Sequence, residues 1–382
     1  YEGKMILIGN YKLMKEYNIE VEEKHYAGTV LYVAQDNVFL GYIYISDEIK
    51  EDSPMTIEGL KKSGIQSYML TGDSDRIGAV VGEKLGLNPE NIYSQLLPQN
   101  KVSKLEEIKS KNNKGVVFVG DGVNDAPALK LADIGLAMGI TGTDVSKEAA
   151  DVVLADDNFA TIVSAVEEGR RIYDNILKAI QFMLSTNIGE VLVIFTAIVA
   201  NWASPLLPIQ ILWINLVTDS LPALALSVDP ADPDVMQRKP IDSKGIMNRL
   251  FLTRIVLQGI MIAGLSLAAF IIGMQTSVEV AQTITFAVLA FTQITHVLNV
   301  RSNRHSAFRN MFKNKMLLGA LAIVMLLMIG VLEIPHLHDI FHLEPLNQMQ
   351  WVWIVVLSIA PLPIGELVKG TLRLKVKRTP NS

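Results

Sequence analysis

The sequence predicts an α/β portion built on a Rossmann-like parallel sheet, followed by an all-α bundle of six membrane-crossing helices. Three observations carry this expectation. Half of the 382 residues are hydrophobic and the mean hydropathy is +0.31, too apolar for an ordinary soluble protein. Up to about residue 160, short β-branched runs alternate with helical patterns. Beyond about residue 177 the chain becomes long apolar runs separated by short charged connections. The absence of cysteine excludes disulfides, thiolate metal sites and a cysteine nucleophile. With 34 Lys and Arg against 39 Asp and Glu, the net charge of -5 leaves no basic footprint for nucleic acid, so no such partner is expected. Tyr1 opens a charged, alternating stretch without a secretory signal, which suggests a chain that starts partway through a larger protein.

In order along the chain, residues 29–33 and Val38–Ile45 are β-branched, apolar runs flanking Gln35, Asp36 and Asn37, a predicted hairpin. The short apolar runs 67–70, 116–119, 134–137 and 152–154 lead into turns with Gly, Asp or Asn. Buried parallel strands with polar loops at their carboxyl ends read this way. Helical patterns lie between them at 75–85 and 101–110. From residue 158 the pattern changes from polar to apolar around Ala179 without Gly or Pro, which predicts one helix running into the first span.

Between residues 187 and 228 the only charged side chains are Glu190 and Asp219. A break at 201–208 divides this stretch into two spans, since crossing takes about 20 apolar residues. Runs at 251–274, 282–300, 316–332 and 351–368 bring the total to six. One connection holds Arg238, Lys239, Lys244 and Arg249, another holds Arg301, Arg304, Arg309, Lys313 and Lys315, and the tail 369–378 is basic. The alternate connections, 201–207, 273–280 and 333–350, hold no Lys or Arg. By the positive-inside rule, the α/β half and the C-terminus are expected in the cytoplasm of an integral, multi-pass membrane protein. The rival reading, buried helices of a large soluble protein, leaves this alternation without a cause.

Thr71-Gly72-Asp73 follows the run 67–70 and sets a hydroxyl, an open backbone and a carboxylate at a strand end. Such a turn can hold a phosphoryl group, though the tripeptide alone also fits an ordinary turn. The run Gly120-Asp121-Gly122-Val123-Asn124-Asp125 offers two carboxylates and an amide, oxygen donors suited to Mg2+. An Asx-rich loop capping the next helix fits the same composition. Lys101, preceded by Pro98, supplies a cation that would neutralise a phosphate; by itself it reads as a surface lysine.

Together, TGD at 71–73, Pro98 with Lys101, GDGVNDAPAL at 120–129 and GTDVSKEAADVVLADDNF at 142–159 closely resemble the phosphorylation domain of P-type ATPases. The resemblance implies a haloacid-dehalogenase-like fold and the use of Mg2+ and ATP. It makes Thr71, Gly72, Asp73, Lys101, Asn124 and Asp125 the candidate catalytic residues, with Asp121 and Asp125 at Mg2+. Asn10, in a stretch resembling the end of the nucleotide domain in heavy-metal pumps, joins Thr71, Gly72 and Lys101 as a candidate nucleotide contact; a helix cap is the alternative for Asn10. The resemblance divides the chain into the end of a nucleotide-binding domain (1–35), a phosphorylation domain lacking its first strand (36–160), a stalk helix with two spans (161–228), and four spans with a tail (229–382). The family's DKTGT acceptor sequence occurs nowhere in these residues. Further N-terminal pump domains are therefore expected in the full protein, and this chain by itself is not expected to form an aspartyl-phosphate.

Polar groups inside the spans need their own reason, because a carboxylate in hydrocarbon costs several kcal/mol and normally marks an ion path. Asn187 and Glu190 are three apart on one span; Asn215, Thr218 and Asp219 cluster on the next. Their oxygens approach the six to eight that calcium takes, and no thiolate or imidazole is among them. Interhelical hydrogen bonding accounts for the Asn and Thr but poorly for two acids. STNIGEV at 185–191 and LWINLVTDSLPA at 212–223 resemble the fifth and sixth spans of calcium-transporting P-type ATPases. That resemblance implies Ca2+ or a similar divalent cation at Asn187, Glu190, Asn215, Thr218 and Asp219, with Gln293 added from a later span. Mn2+ as cargo, and a non-catalytic pump relic, remain alternatives. His296, on the Gln293 side, fits packing or a proton relay.

Overall fold

A computed structural model describes residues 3–24, 28–45, 48–111, 115–238, 249–302, 306 and 311–378. Lys239, Lys244, Arg304 and Arg309 lie outside the described residues, and Lys369 is the one cation of the basic tail whose side chain is described. The chain divides into two compact units, residues 1–166 with 236–243, and 167–235 with 244–382.

In the first unit, the hairpin forms because Asp36 and Asn37 both adopt positive φ, 50° and 63°, the conformation a two-residue turn between twisted strands requires. It joins β2 (Thr29–Gln35) to β3 (Val38–Ile45), with β1 (Ile6–Gly9) on the far side of β2, all antiparallel. The helix α1 (Tyr11–Glu16) packs Met14 against Tyr32 and Ala34 of β2. The boundary expected between residues 35 and 36 lies within this sheet. It falls at the tip of a hairpin whose strands pair along their whole length, so the sheet continues as one body to Ile45.

The rest of the unit alternates as expected: α2 (Ser53–Lys62), β4 (Met69–Leu70), α3 (Asp75–Lys84), β5 (Ile92–Tyr93), α4 (Pro98–Lys111), β6 (Val117–Gly120), α5 (Ala126–Leu131), β7 (Ile134–Met138), α6 (Asp144–Ala149) and β8 (Val152–Leu154). Every pairing here is parallel, as in the expected haloacid-dehalogenase-like α/β fold. The strands form two ladders, β4 with β5 and β6-β7-β8. Leu70 of β4 and Phe118 of β6 share one apolar core with Leu105, Ala128 and Leu129, so burial holds together two ladders that no backbone pairing links among the described residues.

The second unit is helical. The helix α7 (Ala160–Val199) is unbroken over 40 residues, as the absence of a breaker around Ala179 predicts. The second span consists of α8 (Pro208–Trp213), a π-helical turn at Ile214–Asp219, and α9 (Ser220–Leu226). Then follow α10 (Arg249–Gly273), α11 (Val278–Val300), α12 (Lys315–Glu333), the short α13 (Pro335–Phe341), α14 (Gln348–Ile359) and α15 (Pro361–Arg378). Six helices are long and apolar enough to cross a membrane, α14 with the start of α15 counting as the last. Pro361, lacking an amide hydrogen, separates that pair. α11 sits at the centre of the packing, and large apolar side chains such as Val191, Leu216 and Leu326 face outward. That outward apolarity suits lipid rather than water.

Candidate functional site

Two groups of polar residues stand out, one in each unit. At the end of β4, Thr71 N donates to Tyr93 O at 2.9 Å, and the Thr71 hydroxyl donates to Asp73 Oδ2 at 2.7 Å. Leu96 N donates back to Thr71 O and Gln95 N to Asp73 O, which ties the turn to the segment opening α4. Gly72 lies close to that segment: a Cβ there would meet Leu96 O at 3.4 Å. One turn into α4, Lys101 Nζ reaches Asp125 Oδ1 at 2.8 Å, the two side chains being only 17% and 10% exposed. Asp125 Oδ2 accepts from Gly122 N at 3.2 Å, and a Cβ on Gly120 would come within 2.6 Å of Asp125 Cβ. Glycine is needed there for close approach.

Hydrogen bonds and the chain entering α4 thus link Thr71 and Asp73 to Lys101 and Asp125, with Gly72 beside Leu96. Asp125 gives one oxygen to the lysine and one to the loop backbone and makes no capping bond to α5, while the Asp121 and Asn124 side chains are exposed at the mouth of the loop. The donors present are hard oxygens, which fits Mg2+. Of the two carboxylates expected at Mg2+, Asp121 is exposed and Asp125 is paired with Lys101. Among the described residues no three acidic or histidine side chains converge. Asn10 caps α1, its side-chain oxygen accepting from Leu13 N at 3.0 Å.

Sequence reasoning missed what holds Asp121. Its carbonyl accepts from Thr143 N at 2.9 Å and Ser146 Oγ at 3.0 Å. The turn before Thr143 is pinned by Asp157, whose carboxylate accepts from Ile140 N, Thr141 N and the Thr141 hydroxyl at 2.7–2.9 Å. Desolvation pushes the Asp157 carboxyl upward, but these donors outweigh it and hold it well below the usual carboxylate range. The signal was the second Asp of the ADDNF segment at 155–159.

In the helical unit, Glu190 of α7 is 5% exposed and Asp219 of the π turn 2%. Glu190 Oε2 accepts from Asn215 Nδ2 at 3.0 Å, and Oε1 accepts from Gln293 Nε2 of α11 at 3.4 Å. The Thr218 hydroxyl meets Gln293 Oε1 at 2.5 Å. Asp219 Oδ2 accepts from the Thr186 hydroxyl at 3.0 Å, while Oδ1 is buried without a partner. The π turn, in which the Ser220 hydroxyl reaches Asn215 O at 3.0 Å, widens the helix where these groups are presented. Such bulges often mark functional sites.

Five of the six expected cation residues are therefore joined by hydrogen bonds to one another or to Thr186. Asn187 is the exception: half-buried, it donates to Met183 O of its own helix at 2.8 Å. Helix geometry explains the exchange, since Thr186, four before Glu190, is rotated by about 40° from it and Asn187 by about 60° the other way. Gly189 and Gly259 bring α7 against α10; a Cβ on Gly259 would fall 2.5 Å from Ile188 Cγ2. His296, fully buried, stacks on Phe182 and meets Ser185 Oγ at 2.9 Å, the geometry of a packed histidine.

Comparison with known proteins follows the same division. Residues 2–133 match a family model described as haloacid dehalogenase-like hydrolase, and residues 203–371 match one described as cation transporting ATPase, C-terminus. A "Calcium-transporting ATPase 1" of Bacillus cereus is 37% identical over 96% of this chain and 45% of its own length. A "Calcium-transporting ATPase" of Bacillus subtilis is 39% identical over 86% of this chain and 40% of its own. A "Calcium-transporting ATPase type 2C member 1" of Bos taurus is 35% identical over 89% of this chain and 38% of its own. The chain thus spans less than half the length of these relatives. With a hydrolase-type sheet, six spans and both family matches in one sequence, the chain belongs to the P-type cation-transporting ATPases.

Proposed function

We propose that this chain is the part of an ATP-driven calcium pump that holds the transported ion and the residues around the phosphoryl group. The observation that carries the ion site is the pair Glu190 and Asp219, two buried acids on neighbouring spans, Glu190 held by the amides of Asn215 and Gln293 and Asp219 by the Thr186 hydroxyl, with one Asp219 oxygen lacking a partner. Burying two carboxylates together is unfavourable unless a cation offsets their charge. Glu190, Asn215, Thr218, Asp219 and Gln293 would bind Ca2+ as substrate through oxygen atoms, and the relatives named above are calcium-transporting ATPases by name.

At the α/β end, Thr71 and Gly72 would hold phosphoryl oxygens, and Lys101, oriented by Asp125, would lower the charge repulsion between phosphate and an incoming carboxylate. Mg2+ held at Asp121 would supply further charge neutralisation. The exposed Asn124 would line the same mouth, and Asn10 would lie toward the nucleotide. The family's DKTGT acceptor sequence is not among these residues. The basic connections support a cytoplasmic position for the α/β unit and the C-terminus.

A second reading is a relic that binds ions without turnover, and an oxygen-donor site leaves Mn2+ as the rival cargo. The test is phosphorylation of the full protein from ATP in the presence of Ca2+, Mn2+ or Zn2+. Ca2+-dependent phosphoenzyme that disappears in Glu190→Gln supports the pump. No phosphoenzyme with any ion, while Ca2+ still binds, supports the relic; Mn2+ dependence alone reassigns the cargo.

A further inference from the structure

Ten residues beyond Asp219, the chain leaves the second span through Asp229, a carboxylate only 3% exposed that the cation site does not use. Its Oδ2 meets Lys178 Nζ of α7 at 3.1 Å, and its Oδ1 meets Arg301 at the end of α11 at 3.1 Å and Asn314 Nδ2 at the start of α12 at 2.9 Å. Its backbone carbonyl accepts from Asn175 Nδ2 of α7 at 2.7 Å and from Arg171 at 3.3 Å. Arg171, Asn175 and Lys178 are spaced i, i+4, i+7, so the exit from the second span is fastened to one stripe of α7 over two turns. One side chain therefore gathers the ends of four spans.

We infer that Asp229 is a positioning residue for the cation site: it fixes the axial register between α7, which carries Glu190, and the second span, which carries Asn215 and Asp219. Lys178 lies twelve residues before Glu190, about 18 Å along the same helix. A rigid helix transmits a shift at Lys178 to Glu190 with little loss. The Asn215–Glu190 bond at 3.0 Å does not survive a slip of one turn, about 5.4 Å. A buried carboxylate between two buried cations, with further amide donors, gives one geometry rather than several. This inference rests on the cation reading above for its effect on affinity, but its geometric content stands separately.

The absence of cysteine lets a double label be placed without background. Val191→Cys and Leu212→Cys, both outward-facing on α7 and the second span, carry spin labels in the full 382-residue chain in detergent, and Ca2+ binding is titrated directly in parallel. Asp229→Asn is expected to broaden or shift the label distance and to weaken Ca2+ binding about tenfold, an ordinary size for coupling between sites, with helical content unchanged. An unchanged distance in a folded variant overturns the inference whatever the affinity does. A lower melting temperature with distance and affinity both intact assigns Asp229 a purely structural role and overturns it too. If Asp229→Asn does not fold, Asn314→Ala and Asn175→Ala each remove one tie, and each must shift the distance in the same direction; no shift in either is equally fatal. Should the parent chain bind no Ca2+, the cation reading fails while the label distance still decides the role of Asp229.

Discussion

Thr186 donates its hydroxyl to Asp219 at 3.0 Å between α7 and the second span, satisfying one oxygen of a carboxylate whose other oxygen is buried and unpartnered. A bound cation would complete the coordination that the protein leaves open. The contact also ties the first two spans together at the level of Glu190.

Thr186→Val removes that donor without changing shape. Loss of a buried hydrogen bond to an acid is expected to destabilise the ion-free helical unit by about 1–3 kcal/mol. Because Ca2+ would give Asp219 a new partner, thermal unfolding in detergent should show a smaller loss with saturating Ca2+ than without it. An equal loss in both conditions counts against Asp219 as a ligand.

Gly259 lets α10 touch α7 beside Glu190. In Gly259→Val the added Cβ would fall 2.5 Å from Ile188 Cγ2 and 3.1 Å from Ser185 O, an overpacking expected to cost about 1–3 kcal/mol and to weaken Ca2+ binding by displacing Glu190. Gly264 on the same helix has open space around it, with nothing within 4 Å of where a Cβ would sit, so Gly264→Ala is expected to leave Ca2+ affinity and melting temperature as they are. Equal effects of the two changes would show that helix propensity, not the α7 contact, governs the result.

Lys101→Met strands the largely buried Asp125 carboxylate and is expected to cost about 2 kcal/mol in urea unfolding of the α/β unit. The double variant Lys101→Met with Asp125→Asn should recover part of that loss, since the uncompensated charge is gone. Additive losses would mean that the pair is not coupled.

Asp157 gives the α/β unit an acid-sensitive tie. Its folded pKa is depressed, so the stability it contributes is present above the unfolded value, about 3.9, and is lost as pH falls below that toward the folded value. Asp157→Asn should be less stable at neutral pH and should lose less on acidification from about pH 5 to about pH 3. A parallel acid profile for the two proteins would remove Asp157 from this role.

Much of the architecture is legible in local sequence. Asp36-Asn37 between β-branched runs specifies the β2–β3 hairpin, because few other residues tolerate consecutive positive φ. The apolar runs before Thr71 and Gly120 become parallel strands, and the unbroken pattern through Ala179 becomes α7. The six spans follow from run length alone. The phosphate-end candidates came from the resemblance of TGD at 71–73, Lys101 and GDGVNDAPAL at 120–129 to a known family, not from local pattern alone. What local pattern does not show is that β1 joins the same sheet through β2, since pairing is a relation between strands and not a property of either.

Thus composition and periodicity by themselves determined the elements, their order, the spans, and the residue types that suit phosphate and a hard cation, because these depend on burial and on chemistry carried within a few neighbouring residues. Tertiary structure alone decided which of those residues meet. It set Thr186 rather than Asn187 at the acids, brought Gln293 from a distant span onto Glu190 and Thr218, assigned Asp125 to Lys101, and gathered four spans on Asp229. These depend on the rotation and register of one helix against another, which packing at contacts such as Gly259 on Ile188 fixes and which no single segment encodes.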